Sequence, residues 1–203
     1  MRILGVTGGS GTGKTTVCNI LENKGGKIID ADLIARSLQK KGCIVYNEIV
    51  DFFGDSILNS SCELDRTKLA DIVFKDKDKL KKLNLIVHKR VSLEIKRLIE
   101  AYDVLNEKFI VLDVPIPVEE GFFDSVHRIW VIIAKDELRI KRIQNRMGIS
   151  QEQAIERLSC QMTNTEYSDI ADVVIENNVD FNTLEKIIEE ELDDFLKGEF
   201  IDG

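Results

Sequence analysis

"GVTGGSGTGKTTV", residues 5–17, sets glycines at 8, 9, 11 and 13 and a lysine at 14 directly behind the apolar run "RILGVT" (2–7). Glycine fixed in place costs roughly 0.5–1 kcal/mol relative to alanine, so a glycine cluster this dense needs a function to offset it. The stretch fits G-x-x-x-x-G-K-[ST] as Gly8, Gly13, Lys14 and Thr15. In such a loop, backbone N–H groups surround phosphate oxygens, the lysine reaches the outer phosphates and the following hydroxyl binds Mg²⁺. The helix behind it turns its partial positive end toward the same anion. "KTTVCNILENKG" (14–25) supplies that helix, with Val17, Ile20 and Leu21 on one face and Gly25 as its stop. A strand before and a helix after separate this match from a chance glycine-rich turn. Gly9, Ser10, Gly11, Thr12, Gly13, Lys14, Thr15 and Thr16 are therefore the expected phosphate-binding residues.

Further continuous apolar runs occur at "KIID" (27–30), "FIVLDV" (109–114), "RIWVIIA" (128–134) and "DVVIE" (172–176). Unbroken rather than alternating runs indicate strands covered on both faces, and helix-like sequence between them indicates an α/β protein with a five-stranded parallel sheet. The spacing is uneven: residues 31–108 separate the second and third strands, far more than one crossover helix needs. Three- and four-residue apolar spacing makes that insertion helical and a candidate substrate lobe. A second helical pair, about 136–163, lies before the fifth strand, with Gly148 and Ser150 at the turn between its helices. The expected division is one domain with a core of 1–30, 104–135 and 164–203, an inserted lobe at 31–103 and a lid at 136–163.

Bulk properties narrow the partners. The chain has 203 residues, 43% hydrophobic and 32% charged, with no apolar run long enough for a membrane span. "MRILGV" is too short for a signal peptide, which makes the expected location cytoplasmic. A net charge of −8 argues against a general nucleic-acid binder. Cys18, Cys43, Cys62 and Cys160 are widely spaced without a C-x-x-C pair, and buried thiols are expected rather than a zinc site.

The remaining chemistry sits at strand ends and on one arginine-rich helix. No N-K-x-D element follows a later strand, and "DFFG" (51–54) lies inside the helical insertion, so a GTPase is disfavoured. "IIDADLIAR" puts Asp30 and Asp32 at the carboxyl edge of the sheet, where such folds bind ligands. A carboxylate there takes the proton of an attacking hydroxyl or holds Mg²⁺; aspartate is also a good helix N-cap. Asp32 is the choice for chemistry, and Asp30 for structure or metal. Asp113, ending "FIVLD", fits a Mg²⁺-binding carboxylate. Arg142 and Arg146 are four apart and share a helix face suited to phosphoryl groups, whereas Arg139 lies off that face. His88 stands alone on a helix of the insertion, where a histidine is more often a packing or surface residue.

Taken together these segments resemble the dephospho-CoA kinase family. The family pattern G-G-x-G-[ST]-G-K-[ST] is present as "GGSGTGKT", D-A-D-x-I-A-R as "DADLIAR" and R-x-x-L-x-x-I-V-F as "RTKLADIVF". P-L-L-x-E is met loosely by "PIPVE", R-x-x-x-R by "RIQNR", R-x-x-x-Q by "RLSCQ" and A-D-x-V-I-x-N by "ADVVIEN". The resemblance implies a P-loop NTPase fold of the nucleoside-kinase type and transfer of the γ-phosphate of ATP to the ribose 3′-hydroxyl of dephospho-CoA with Mg²⁺. It implies Asp32 near the attacking hydroxyl, Lys14 on the γ-phosphate, Thr15 on Mg²⁺, and Arg142 with Arg146 closing over the phosphates. Arg36, Arg66 and His88 would lie on the dephospho-CoA side and Asn177 near the adenine of ATP. Four departures stand out: Lys89 where the family has proline, Pro117 in the "PIPVE" segment, Arg139 in place of a frequent glutamine and Val179 in place of glycine. A kinase of another small acceptor, such as a nucleoside, a nucleoside monophosphate or shikimate, and a nucleotide-binding module without turnover are the competing readings.

Overall fold

The computed structural model describes residues 1–114 and 126–198. Among them five strands, β1 (Arg2–Thr7), β2 (Lys27–Asp30), β3 (Phe109–Asp113), β4 (Arg128–Ile133) and β5 (Val173–Glu176), form one parallel sheet in the order β2-β3-β1-β4-β5. The apolar runs named above are these strands, with β3, β4 and β5 each one residue shorter than the sequence pattern. The "PIPVE" segment, with Pro115 and Pro117, lies outside the described residues.

β1 is central, paired to β3 on one side and β4 on the other, with Val6 level with Asp113 and also with Trp130. Its position follows from composition: Leu4 and Val6 are 0% and 1% exposed, so both neighbours and both helical layers must cover it. On one side α1 (Lys14–Asn23) and α9 (Phe181–Lys197) pack together, and Val17, Ile20 and Leu21 meet Leu184, Ile188, Leu192 and Phe195 in one cluster with Leu4, Val111 and Trp130. The four- and three-residue spacing of the α9 set is what turns it inward. Arg2 secures the end of α9 by donating to the carbonyls of Phe195 and Gly198, groups a helix terminus leaves without intrahelical partners.

The chain forms two compact units, residues 1–29 with 101–203, and residues 30–100. The second is helical: α2 (Ala31–Leu38), α3 (Ile44–Phe53), a 3₁₀ turn at Asp55–Ile57, α4 (Arg66–Val73) and the long α5 (Lys77–Val104), whose last turn passes into the first unit. It has its own apolar centre of Val45, Ile49, Ile57, Leu69, Val73 and Ile86. Residues 136–163, expected as a lid, fall in the same unit as the sheet, as α6 (Asp136–Met147) and α7 (Gln151–Ser159). Gly148 ends α6 in the left-handed conformation, and Ser150 opens α7 with a capping box to Gln153. A short α8 (Asn164–Ser168) follows.

The expectation of buried thiols holds for Cys18 alone. Cys43 is half-buried, and Cys62 and Cys160 are exposed, because three of the four stand at helix ends or turns rather than on core faces.

Ile188 is 0% exposed at the centre of the α1–α9 layer. Ile188→Ala is expected to lower unfolding stability by about 2–5 kcal/mol, the usual cost of a large-to-small change in a core. Urea unfolding followed by circular dichroism checks it, and a loss under 1 kcal/mol, about the cost of removing a single methyl group, would show that the layer is loosely packed.

Candidate functional site

The glycine loop leaves the end of β1 at Thr7 and enters α1 at Lys14. Gly13 is the helix N-cap at φ 94, and a Cβ there would run into the Asn177 amide. Gly11, at φ 79, presses against α6, where a Cβ would sit 2.7 Å from the Arg139 carbonyl oxygen. These two positions need glycine both for the left-handed backbone and for the close approach. Among the described residues no group accepts from the N–H of Gly11, Gly13, Lys14 or Thr15, so four donors at the start of α1 are available to an anion. Lys14 Nζ donates to Asp113 Oδ1 at the end of β3. The parallel register carries that carboxylate to the level of Val6, just before the loop.

The loop's carbonyls face another set of side chains. Arg142 Nη1 donates to the carbonyls of Gly11 at 3.2 Å and Thr12 at 3.3 Å, and its Nη2 to the carbonyl of Asn177 at 3.1 Å. Asn177, 4% exposed, donates from Nδ2 to the Thr12 carbonyl at 2.8 Å. Arg139 corrects the helix-face argument that set it aside. It is 3% exposed and donates from Nε to the Ser10 carbonyl at 3.0 Å. Arg139 and Arg142, three apart, share a helix face and both donate to the loop's carbonyls, because α6 lies along the loop itself. Arg146, one turn beyond Arg142, is exposed. Sequence reasoning also passed over Gln161, whose amide bonds Ser10 twice; the signal was in hand as the last residue of "RLSCQ".

The second unit carries the other expected residues. Asp30 is the N-cap of α2, its carboxylate accepting from Leu33 N–H at 2.9 Å, which is the structural role expected for it. Asp32 and Arg36 are one turn apart on α2 and both exposed. Arg66 is exposed at the first residue of α4, and His88 is half-buried on α5. Burial pushes the His88 imidazole below its ordinary 6.5.

Three departures from the family pattern acquire physical readings. Lys89 is exposed, and α5 runs unbroken through it. Val179 is exposed in the turn before α9, and its backbone is not among those with positive φ, so glycine is not required there. Arg139 has the loop contact just described.

The oxygens expected to hold Mg²⁺ are the Thr15 hydroxyl, exposed in the first turn of α1, the Asp113 carboxylate at the end of β3, and Asp32, exposed on α2. A hard cation prefers oxygen donors, and Mg²⁺ beside phosphates takes one or two protein ligands and completes its shell with water and substrate. All three are donors of that chemistry. No cluster of three or more His, Cys, Asp or Glu side chains suited to a metal occurs among the described residues.

A phosphate loop at the carboxyl edge of a parallel sheet, its lysine paired with the strand-end carboxylate, belongs to an α/β P-loop fold of the nucleotide-kinase-like class. The family model for dephospho-CoA kinase matches residues 2–183. Dephospho-CoA kinase of Dehalococcoides mccartyi is 39% identical over 190 residues, covering 93% of this chain and 95% of that protein. That of Fusobacterium nucleatum is 41% identical over 187 residues, covering 92% and 95%. The solved dephospho-CoA kinase from Campylobacter jejuni aligns over 98% of this chain and 99% of its own at a TM-score of 0.71 and 28% identity. The chain belongs to the dephospho-CoA kinase family.

The lowered His88 value has a consequence for stability. Between the folded and unfolded values the unfolded chain binds the proton and the folded chain does not, so stability rises with pH through this window. The contribution is fully present above the unfolded value and is lost as pH falls through the folded one. Titration of the imidazole C–H resonances is expected to place the His88 midpoint below 6.5; a midpoint at or above that value would remove burial as the governing effect.

Proposed function

We propose that the protein phosphorylates the ribose 3′-hydroxyl of dephospho-CoA with Mg·ATP, giving coenzyme A and ADP, in the cytoplasm. The observation that carries the reading is the family match across residues 2–183, which spans the phosphate loop and "DADLIAR" together. On this reading the sheet unit takes the nucleotide, residues 31–103 take the CoA-side substrate, and 136–163 close over the phosphates.

The chemistry follows from the residues. Within the loop expected at Gly9–Thr16, the open backbone donors of Gly11, Gly13, Lys14 and Thr15 hold the β- and γ-phosphates, aided by the N-terminal end of α1, while the N–H groups of Ser10, Thr12 and Thr16 are bonded within the protein. Lys14 transfers its ammonium from Asp113 to the γ-phosphate when ATP enters, which releases the Asp113 carboxylate. Thr15 and Asp113 would hold Mg²⁺, which when bound would neutralise charge on the phosphates. Asp32 orients the 3′-hydroxyl and accepts its proton as the oxygen bonds to Pγ and the bond from Pγ to the ADP oxygen breaks. Arg146, exposed one turn beyond Arg142, offsets charge on the moving phosphoryl group, for which guanidinium forks are well suited, and Arg142 joins it on leaving the loop carbonyls it holds here. Arg36, Arg66 and His88 bind dephospho-CoA, and Asn177 stands on the adenine side.

ADP release from Mg·ATP, measured with dephospho-CoA and in parallel with AMP, adenosine, shikimate or no acceptor, tests the substrate. Turnover with dephospho-CoA alone, with coenzyme A appearing in step, is the expected result; turnover only with another acceptor would move the specificity and overturn the reading. Asp32→Asn is expected to keep ATP binding and to lose kcat by roughly 10²–10⁴-fold, the usual share of a general base. Wild-type turnover in that variant would exclude the assigned role.

A further inference from the structure

Ser10 sits in the phosphate loop between Gly9 and Gly11, and side chains from outside the loop take its amide, its hydroxyl and its carbonyl. Gln161 meets it with both ends of one amide: Oε1 accepts from the Ser10 N–H at 2.9 Å, and Nε2 donates to Ser10 Oγ at 2.7 Å. Two bonds from one planar group fix Ser10 in rotation as well as in position. Arg139 closes the remaining side by donating from Nε to the Ser10 carbonyl at 3.0 Å.

Both clamping residues are themselves held. Arg139 Nη1 donates to Asp136 at 3.0 Å and to Asn164 at 3.4 Å, and Asn164 Nδ2 donates to the Ala134 carbonyl beyond the end of β4. Gln161 follows α7, its N–H bonded to the Leu158 carbonyl at 3.0 Å, two residues before the capping box that opens α8. The clamp is thus tied to the sheet and to two helix termini, not to the loop.

We propose that Gln161 and Arg139 are positioning residues for ATP, holding Ser10 so that the open N–H groups of the loop are already aimed at one anion. The physical reason is entropic. Glycines on both sides of Ser10 give the loop wide backbone freedom, and that freedom must be lost when phosphate binds. A clamp that removes it beforehand leaves less of the cost to the nucleotide, which is the general advantage of preorganisation. The inference rests on the reading of the loop as the ATP site. It adds to that reading two residues that act through Ser10.

Gln161→Leu removes both polar ends at similar side-chain size. Calorimetric titration of the full chain with ATP and Mg²⁺, without acceptor, is expected to show a Kd raised roughly five- to thirtyfold, the equivalent of one to two hydrogen bonds. The KM for dephospho-CoA and the Tm are expected to stay near wild type, a split that general loss of structure would not produce. Ser10→Ala combined with Gln161→Leu is expected to cost less than the two single changes added together, because they share a bond. Should Gln161→Leu fail to fold, Gln161→Asn, too short by one methylene to reach both groups, is expected to show the same loss. A Kd within about twofold of wild type in a folded variant, less than a single hydrogen bond typically contributes, would overturn the clamp, as would full additivity in the double variant. Loss of ATP affinity in Gln161→Leu, in a protein that turns over no dephospho-CoA, would uphold the clamp and overturn the proposed substrate. Failure of the wild-type chain to bind ATP would overturn both.

Discussion

A loop that turns its N–H groups toward an anion leaves its carbonyls directed elsewhere, and buried carbonyls need donors. In this protein the carbonyls of Ser10, Gly11 and Thr12 are met by Arg139, Arg142 and Asn177. The rest of the sheet unit can be read as what is required to bring those donors there. α6 must lie against the loop so closely that a side chain at residue 11 would strike its backbone. β5 must deliver Asn177 beneath Gly13, which it does by pairing with β4 in register, Ile133 against Glu176. Thr12 is 1% exposed, and an unsatisfied buried carbonyl costs about 1–3 kcal/mol, a sizeable part of the net stability of a domain.

The sheet order serves the same end from the other side. With β1 between β3 and β4, the loop leaves the middle of the sheet. The β3 end offers a carboxylate to Lys14, and the β4 end leads into α6 and its arginines. An edge position for β1 would provide one of these neighbours and not both. The apolar layer of α1 and α9 then fixes the helix whose first residues carry the open donors, so core packing and anion geometry are linked through α1.

Much of this was legible in the residues. The strand runs, the loop, the helical insertion and the turn at Gly148 and Ser150 all carry local signals, since periodicity and capping are written in neighbours along the chain. The N-cap role of Asp30 was legible for the same reason. The roles of Arg139 and Gln161 were legible only in part: Arg139 stands three residues from Arg142 and Gln161 ends "RLSCQ", but that both meet Ser10 depends on how elements more than a hundred residues away in sequence are turned toward the loop. The exposure of Cys62 and Cys160 escaped a compositional argument, since cysteine is often buried on average but turns override the average. Asn177 was placed by resemblance near a base, and its amide is bonded to the Thr12 carbonyl.

Electrostatics around the loop are local rather than global. The chain as a whole carries a charge of −8, yet Lys14, Arg139 and Arg142 border one short loop. Their charge is not left bare. Asp113 pairs with Lys14 and Asp136 with Arg139, while Arg142 spends its donors on carbonyls, which are dipoles and not anions. The two cations differ in what each would leave behind on moving. Lys14 would leave one carboxylate, whereas Arg139, 3% exposed, would leave the Ser10 carbonyl and the Asp136 and Asn164 oxygens together, so the arginine is the costlier of the two to displace.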